Sequence, residues 1–247
     1  MNILLNGING RMGQQLRILA ANNYKDAHIV GGVDIIPGDL DVPVFTNWDD
    51  VNIDCDCIVD FSNHKSVETM LPYAIKHNIP VVVATTGHTD EEKSLIKNAA
   101  KSIPVFYTAN MSVGIALLAE AAVNIVKAMP DANIEIIEKH HNRKLDAPSG
   151  TALMLADEIK TVRKNAVYNI GRNGHAKRTD EEIGIHAIRM GNIVGEHEII
   201  IGTDSQTITL KHEAHSRALF AEGGLTAAAF IIGQPIGLYD MKDMLNA

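Results

Sequence analysis

The chain has 247 residues, 46% of them hydrophobic, a mean hydropathy of 0.00 and a formal net charge of −8. That is globular composition, enough for one large or two small domains with real cores. The acidic surplus argues against a general binder of nucleic acid or anionic membranes, and no apolar run reaches the roughly 18 residues that a spanning helix needs. The opening MNILLNG lacks the basic start of a secretory signal and runs straight into a strand pattern, so a soluble cytoplasmic protein is expected.

In chain order, NILLN (2–6) reads as a short buried strand and residues 10–22 as a helix. Between them, LLNGINGRMGQQL places Gly7, Gly10 and Gly13 at a strand-to-helix turn. Glycines there let the backbone approach a pyrophosphate closely, and the helix start offers free N–H groups and the positive end of its dipole. The spacing is G-x-x-G-x-x-G rather than G-x-G-x-x-G. The next strand, AHIVGGVD (27–34), ends on Asp34, about twenty residues beyond the last glycine, where an acidic side chain can accept from the adenosine ribose hydroxyls. A carboxylate there repels a 2′-phosphate, and Ile35, Ile36, Pro37 and Gly38 bring no base after it, so NADH is favoured. Arg11, within the turn, keeps NADPH open.

CDCIVDFS (55–62) is a further strand, followed by a helix at 65–77. Its two cysteines, Cys55 and Cys57, point to one face if the strand holds, cannot easily bridge, and are too few for a zinc set; they are expected to be reduced core thiols, with no metal. A strand (79–87), a helix (89–101) and a strand (103–110) complete an alternation that predicts a parallel sheet covered on both faces. Small polar residues close two of these strands, in FSN (61–63) and ATTG (84–87), where ligands of open parallel sheets bind.

The second half changes character. A long amphipathic helix (113–129) precedes the strand NIEIIEKHH (133–141), and a helix follows at 151–164. The polar stretch 171–182 reads as a mobile loop. Residues 183–212 read as consecutive strands broken by Gly191 and Gly202, and a last helix, 217–232, ends at Gly233. The predicted fold class is α/β: a Rossmann-like dinucleotide-binding domain (1–110 plus 217–247), and a second α+β domain on an open mixed sheet (111–216), to which the resemblance below assigns substrate binding and oligomerisation. Assignment of the last helix to the first domain comes from the resemblance below.

Between strand and helix, EKHHNRKLDAPSGTA (138–152) gathers Lys139, His140, His141, Arg143 and Lys144 in front of a helix start at Pro148–Gly150. Cationic side chains and unpaired helix N–H groups both attract anions, so a carboxylate substrate fits and a dicarboxylate fits better. Imidazole can exchange a proton near neutral pH, and Lys144 can stabilise negative charge or donate a proton. His186, His197, His212 and His215 are read as structural or surface residues.

These stretches, with NGINGRMG (6–13), ATTGHTDEE, TANMSVGI, IRMGNIVGEHE and FAEGGL, resemble the 4-hydroxy-tetrahydrodipicolinate reductase (dihydrodipicolinate reductase) family over nearly the whole chain. The resemblance implies a homotetrameric oxidoreductase of lysine and diaminopimelate biosynthesis. It reduces a small cyclic dicarboxylate, 4-hydroxy-tetrahydrodipicolinate, with NADH and/or NADPH and releases water. It implies His140 as proton donor and acceptor, Lys144 as proton donor, and His141, Gly150 and Thr151 as holders of the substrate carboxylates. It implies a cofactor lining of Gly7, Ile8, Asn9, Gly10, Arg11, Met12, Asp34, Ala84, Thr85, Thr86, Thr108, Ala109, Asn110 and Met111. Ile8, Asn9 and Ala84 depart from the usual family residues, and no Arg follows Asp34. A related two-domain dehydrogenase of an amino-acid semialdehyde and a nucleotide-sensing binding protein are the alternative readings.

Overall fold

The computed structural model describes residues 1–247, which form two compact units: Met1–Ser112 with Ala218–Ala247, and Val113–Arg217. The first contains β1 (Asn2–Asn6), α1 (Arg11–Ala21), β2 (His28–Val33), β3 (Val44–Phe45), β4 (Cys57–Asp60), α2 (Val67–His77), β5 (Val81–Val83), α3 (Asp90–Ala99) and β6 (Pro104–Tyr107). The second contains α4 (Val113–Ala128), β7 (Asn133–His140), α5 (Gly150–Lys160), β8 (Val167–Ile170), β9 (Glu182–Arg189), β10 (Gly195–Gly202) and β11 (Thr207–Ala214). The chain then returns to the first unit as α6 (Ala218–Ile231), β12 (Gly237–Tyr239) and α7 (Met241–Leu245).

The first unit is a parallel sheet in the order β12-β6-β5-β4-β1-β2-β3. Ile3, Leu4, Leu5, Ile58, Val59 and Val81 to Val83 are fully buried, as expected where helices cover both faces. Strand order reverses between β1 and β4, so the carboxyl ends of these two strands form the ligand-binding switch point of such sheets. Helix α6 packs on α1, β4, β5 and β6 through small residues. A methyl at Gly224 would come within 2.8 Å of the Phe61 ring, and one at Gly223 would collide with the Met111 carbonyl, so glycine sets how closely the helix approaches.

The second unit is a mixed sheet in the order β11-β10-β7-β9-β8, antiparallel on the β10 side of β7 and parallel on the β9 side. Alternation along β7 buries Ile134, Ile136 and Glu138. The two apolar residues join Ile183, Ile185, Ile199 and Ile201 in a core with Leu118 and Ala122 of α4 and Leu155 and Ile159 of α5. Lys139 and Glu196 lie on the opposite face and pair at 2.9 Å.

Two expectations need correction. The strand begins at Cys57, so Cys55 lies outside it and is only half-buried, not a core thiol. Cys57 is fully buried. Burial and then the charges of Asp56 and Asp54 push the Cys55 thiol up to about 11, and burial likewise raises Cys57, so both are poor nucleophiles. The 171–182 segment, read as mobile, is tied down: Arg178 donates from Nε to Asn133 Oδ1 (2.6 Å) and from Nη2 to Ile134 O (3.2 Å) and Glu182 O (2.6 Å).

Arg163 has a similar structural task. It is buried and donates to Ala132 O (2.6 Å) and Asp180 O (2.5 Å), joining the turn before β7 to the segment before β9. Arg163→Met strands both carbonyls; it is expected to cost about 2–3 kcal/mol and lower Tm by roughly 5–10 °C, read by circular dichroism melting.

Candidate active site

At the switch point the chain turns on Gly7, at φ +84°, where a methyl would lie 2.7 Å from Phe61 O. A methyl at Gly13 would run into the carbonyls of Gly7 and Ile8. Gly10 caps α1 with no side-chain bond, and no acidic residue occupies its first turn, so the helix start keeps its capacity for an anion beside exposed Arg11. Asp34 accepts from Asn9 N (3.0 Å) and Ile36 N (3.2 Å), and the Asn9 amide donates to Ile36 O (2.7 Å). Turn and Asp34 loop are thus stitched together. A cavity of about 1060 Å³ opens here, bordered by Gly7, Gly10, Asp34, Trp48, Ser62 and Tyr73. Its size, the close backbone approach and the uncapped helix start fit a dinucleotide.

The other expected cofactor residues are distributed unevenly. Ile8 is fully buried, its side chain set against Gly32, and Met12 is half-buried in α1. Ala84, Thr85 and Thr86 follow β5, and Thr108 to Met111 follow β6; both groups lie along the carboxyl edge of the sheet but outside the cavity wall. Thr108 Oγ1 donates to Asn110 O (3.2 Å) and accepts from Asn110 N (3.3 Å), while Ala109 completes the loop and Met111 is buried.

Sequence reasoning missed the residue that joins these loops. Asp60, fully buried at the end of β4, accepts at Oδ1 from Asn6 Nδ2 (2.8 Å) and from both the amide and the hydroxyl of Ser62. Ser62 N also donates to Thr85 Oγ1 (2.9 Å). Burial raises the Asp60 carboxyl pKa, against the lowering effect of bonds from Ser62, Thr85 and Asn6. A carboxylate at a strand end in a fully apolar run is its only trace in the sequence.

The second unit builds the other half of the chemistry. His140 ends β7 with its side chain only 12% exposed, and its Nδ1 lies 2.6 Å from Glu138 Oε2. An ionised carboxylate can only accept, so Nδ1 carries the hydrogen and Nε2 is the nitrogen left to exchange a proton. Ser149 caps α5 by accepting from Ala152 N (3.2 Å), which places Gly150 and Thr151 in the first turn, and the peptide bond before Pro148 is cis. Lys144 pairs with Asp146 at 2.8 Å, and that bond foremost lowers the Asp146 pKa. His141 is held towards the neutral form by burial and then by Arg143, Arg217, His140 and Lys144.

Three further residues complete the group, none of them singled out in the sequence. Glu138 is fully buried, Arg189 of β9 chelates it through two bonds (2.6 and 2.7 Å), and Ser149 N donates to it at 2.9 Å. Burial pushes the Glu138 carboxyl up, yet the bonds from His140, Arg189 and Ser149 outweigh it and hold the pKa at about 2. His197, read as having no specific role, is buried. Its Nε2 lies 3.1 Å from Ser149 Oγ and its ring stands edge-on to His140 at 5.3 Å between centroids. Burial first, and then the neighbouring His140, depress its pKa to about 4.

A glycine turn on a Rossmann-type sheet, with a second unit that sets a carboxylate-bound histidine and cationic side chains at a helix start, is the frame of a nicotinamide-dependent oxidoreductase. Family comparison agrees: residues 1–111 match the model described as dihydrodipicolinate reductase, N-terminus, and residues 114–245 match dihydrodipicolinate reductase, C-terminus. The chain belongs to the dihydrodipicolinate reductase family. It is 46% identical over 252 residues to a 4-hydroxy-tetrahydrodipicolinate reductase of Clostridium tetani, covering all of this chain and 98% of the relative. One from Caldanaerobacter subterraneus subsp. tengcongensis is 43% identical, with 100% and 98% covered. Among solved structures, a dipicolinate-bound dihydrodipicolinate reductase from Paenisporosarcina sp. TG-14 superposes with a TM-score of 0.83 at 26% identity over 97% of each chain. A myo-inositol dehydrogenase from Corynebacterium glutamicum (TM-score 0.63, 17% identity, 100% and 92% covered) shares the fold alone.

Two outcomes follow from this geometry. Because His197 titrates lower folded than unfolded, its neutral form favours the fold; that stability is complete above about pH 6.5 and is lost as pH falls towards 4, by roughly 3 kcal/mol. His197→Asn should therefore flatten the dependence of Tm on pH across that window. A methyl at Gly195 would lie 3.2 Å from His140 Nε2, so Gly195→Ala should shift the imidazole by a few tenths of an ångström, read as a changed His140 signal in histidine NMR.

Proposed function

We propose that this chain reduces 4-hydroxy-tetrahydrodipicolinate to tetrahydrodipicolinate with a reduced nicotinamide cofactor and releases water, a step of lysine and diaminopimelate biosynthesis in the cytoplasm. The observation that carries this reading is one buried carboxylate, Glu138, bonded at once to the His140 ring and to the Ser149 amide at the start of α5. Proton-transfer group and anion-binding turn are thereby held in one frame. The relatives' names supply the substrate.

The substrate is a ring with two carboxylates. Gly150 and Thr151, at the N-terminus of α5, offer amide hydrogens to one of them, and Lys144 attracts the other while neutral His141 donates a hydrogen bond to it. An incoming carboxylate competes with Asp146 for Lys144, whose ammonium then serves as donor to the substrate. Loss of the ring hydroxyl as water puts one proton on the leaving oxygen and removes one from the neighbouring ring carbon, and after hydride reaches carbon 4 the ring takes up one proton. His140, with Nδ1 committed to Glu138, gives the first at Nε2, accepts the second, gives it back to the ring and is reprotonated from solvent. The nicotinamide supplies the hydride. Its dinucleotide is held by Gly7 to Met12, with Asp34 at the adenosine ribose, and by Ala84 to Thr86 and Thr108 to Met111 towards the nicotinamide. Asp34, with no basic residue after it, supports NADH as the preferred donor; Arg11 leaves NADPH as a usable one. The assembly is a homotetramer, as the family resemblance implies.

The test is a coupled assay. The condensation product of aspartate semialdehyde and pyruvate is supplied, and loss of nicotinamide absorbance is followed with each cofactor. Turnover with kcat/KM higher for NADH is expected; none with either cofactor would refute the assignment. His140→Gln should cut kcat by roughly a hundredfold or more with little change in KM, and Lys144→Ala should damage both. Light scattering on the purified protein should give a mass four times 26.8 kDa.

A further inference from the structure

We propose that Glu138 is a positioning residue for proton transfer: its carboxylate fixes the tautomer and tilt of His140 and, through the same two oxygens, the start of the helix that receives the substrate. The inference rests on the reading of His140, Gly150 and Thr151 given above and assigns a cause to their alignment.

The position itself is unusual. Glu138 continues the inward register of Ile134 and Ile136 on β7, so a carboxylate occupies a site that the sheet otherwise fills with apolar side chains. A charge there is tolerated only if every lone pair that faces the interior is occupied. Four bonds achieve this. Oε1 accepts from Arg189 Nη2 (2.6 Å) and Ser149 N (2.9 Å); Oε2 accepts from Arg189 Nη1 (2.7 Å) and His140 Nδ1 (2.6 Å). Neutralising the charge needs Arg189 alone. The two remaining bonds go to groups of the reaction site, one on each side of the 141–148 loop. Arg189 also donates to Asp146 O (2.7 Å), which ties the loop carrying Lys144 to the same pair.

The charged and titratable groups facing this carboxylate are His140 on its own strand, Arg189 on β9, and His197 on β10. His197 closes the ring of contacts, since it meets Ser149 Oγ at 3.1 Å and the His140 ring edge-on. The circuit Glu138–His140–His197–Ser149–Glu138 leaves His140 little freedom to rotate. A carboxylate set behind the reacting imidazole in this way decides which nitrogen is basic.

Glu138→Gln and Glu138→Asp test the idea, with the full-length protein assayed well below the melting temperature of each variant. An amide at 138 can donate to Nδ1 and so admits the opposite tautomer, and the shorter Asp cannot reach both His140 and Ser149. Expected is a loss in kcat of roughly ten- to a hundredfold for either variant, with a displaced pH–kcat profile, and a weaker inhibition constant for pyridine-2,6-dicarboxylate. A role in stability alone would lower Tm and leave kcat, KM and the pH profile of the folded fraction unchanged; that result overturns the proposal. Should neither variant fold, ¹⁵N-histidine NMR of the wild-type protein, with the His140 signal assigned through His140→Gln, decides the matter. Protonated Nδ1 at neutral pH is expected, and a bare Nδ1 overturns the proposal. A wild-type enzyme that reduces no substrate removes the underlying reading and this inference together, whereas an active wild type with an equally active Glu138→Gln removes only this inference.

Discussion

The pairing of one buried carboxylate with one guanidinium, Glu138 with Arg189, is the interaction on which the geometry of the second unit's candidate site depends. Two adjacent strands present them across the β7–β9 register, where Glu138 sits opposite Ala187 and Arg189 opposite His140. Arg189 supplies the counter-charge that, together with the bonds from His140 and Ser149, keeps the carboxylate ionised in an apolar layer. Ionised and chelated, it has lone pairs left for an imidazole and a helix amide. Fold stability and site geometry therefore share the same atoms.

The first unit uses the same device. Asp60, buried at the end of β4, gathers Asn6 and Ser62, and Ser62 in turn holds Thr85, so the ends of β1, β4 and β5 form one hydrogen-bonded edge. Asp34 does likewise for the glycine turn through Asn9 and Ile36. In each case an acidic side chain at a strand end accepts from backbone or amide donors of the neighbouring loops.

Most of the fold was legible from periodicity. The long helices and the buried strands of the first unit lie where continuous apolar runs and 3.6-residue patterns put them. What escaped was short: β3, β8, β12 and α7 have two to five residues, too few to show a period, and owe their form to the neighbours they pair with or to a capping box at Asp240. The candidate site was legible where it is made of contiguous motif, from His140 to Thr151. It was illegible where partners are distant in sequence. Arg189 lies 51 positions from Glu138, and His197 48 from Ser149, distances across which no local pattern speaks. Glu138 was visible in principle, since a charge in register with Ile134 and Ile136 breaks the alternation. His197 looked like one more strand histidine, and only burial sets it apart.

The return of α6 to the cofactor sheet has a consequence for biosynthesis on the ribosome. Strands β1 to β6 emerge first, but the helix that packs against three of them and the strand that caps the β6 edge are the last to leave the exit tunnel. The nascent parallel sheet must wait, with apolar surface uncovered, while the intervening hundred-odd residues are made. Those residues have their own core and can fold during the interval, as an insertion completed before its host. Premature termination anywhere after Arg217 would then release a finished mixed-sheet unit attached to an unfinished parallel-sheet unit.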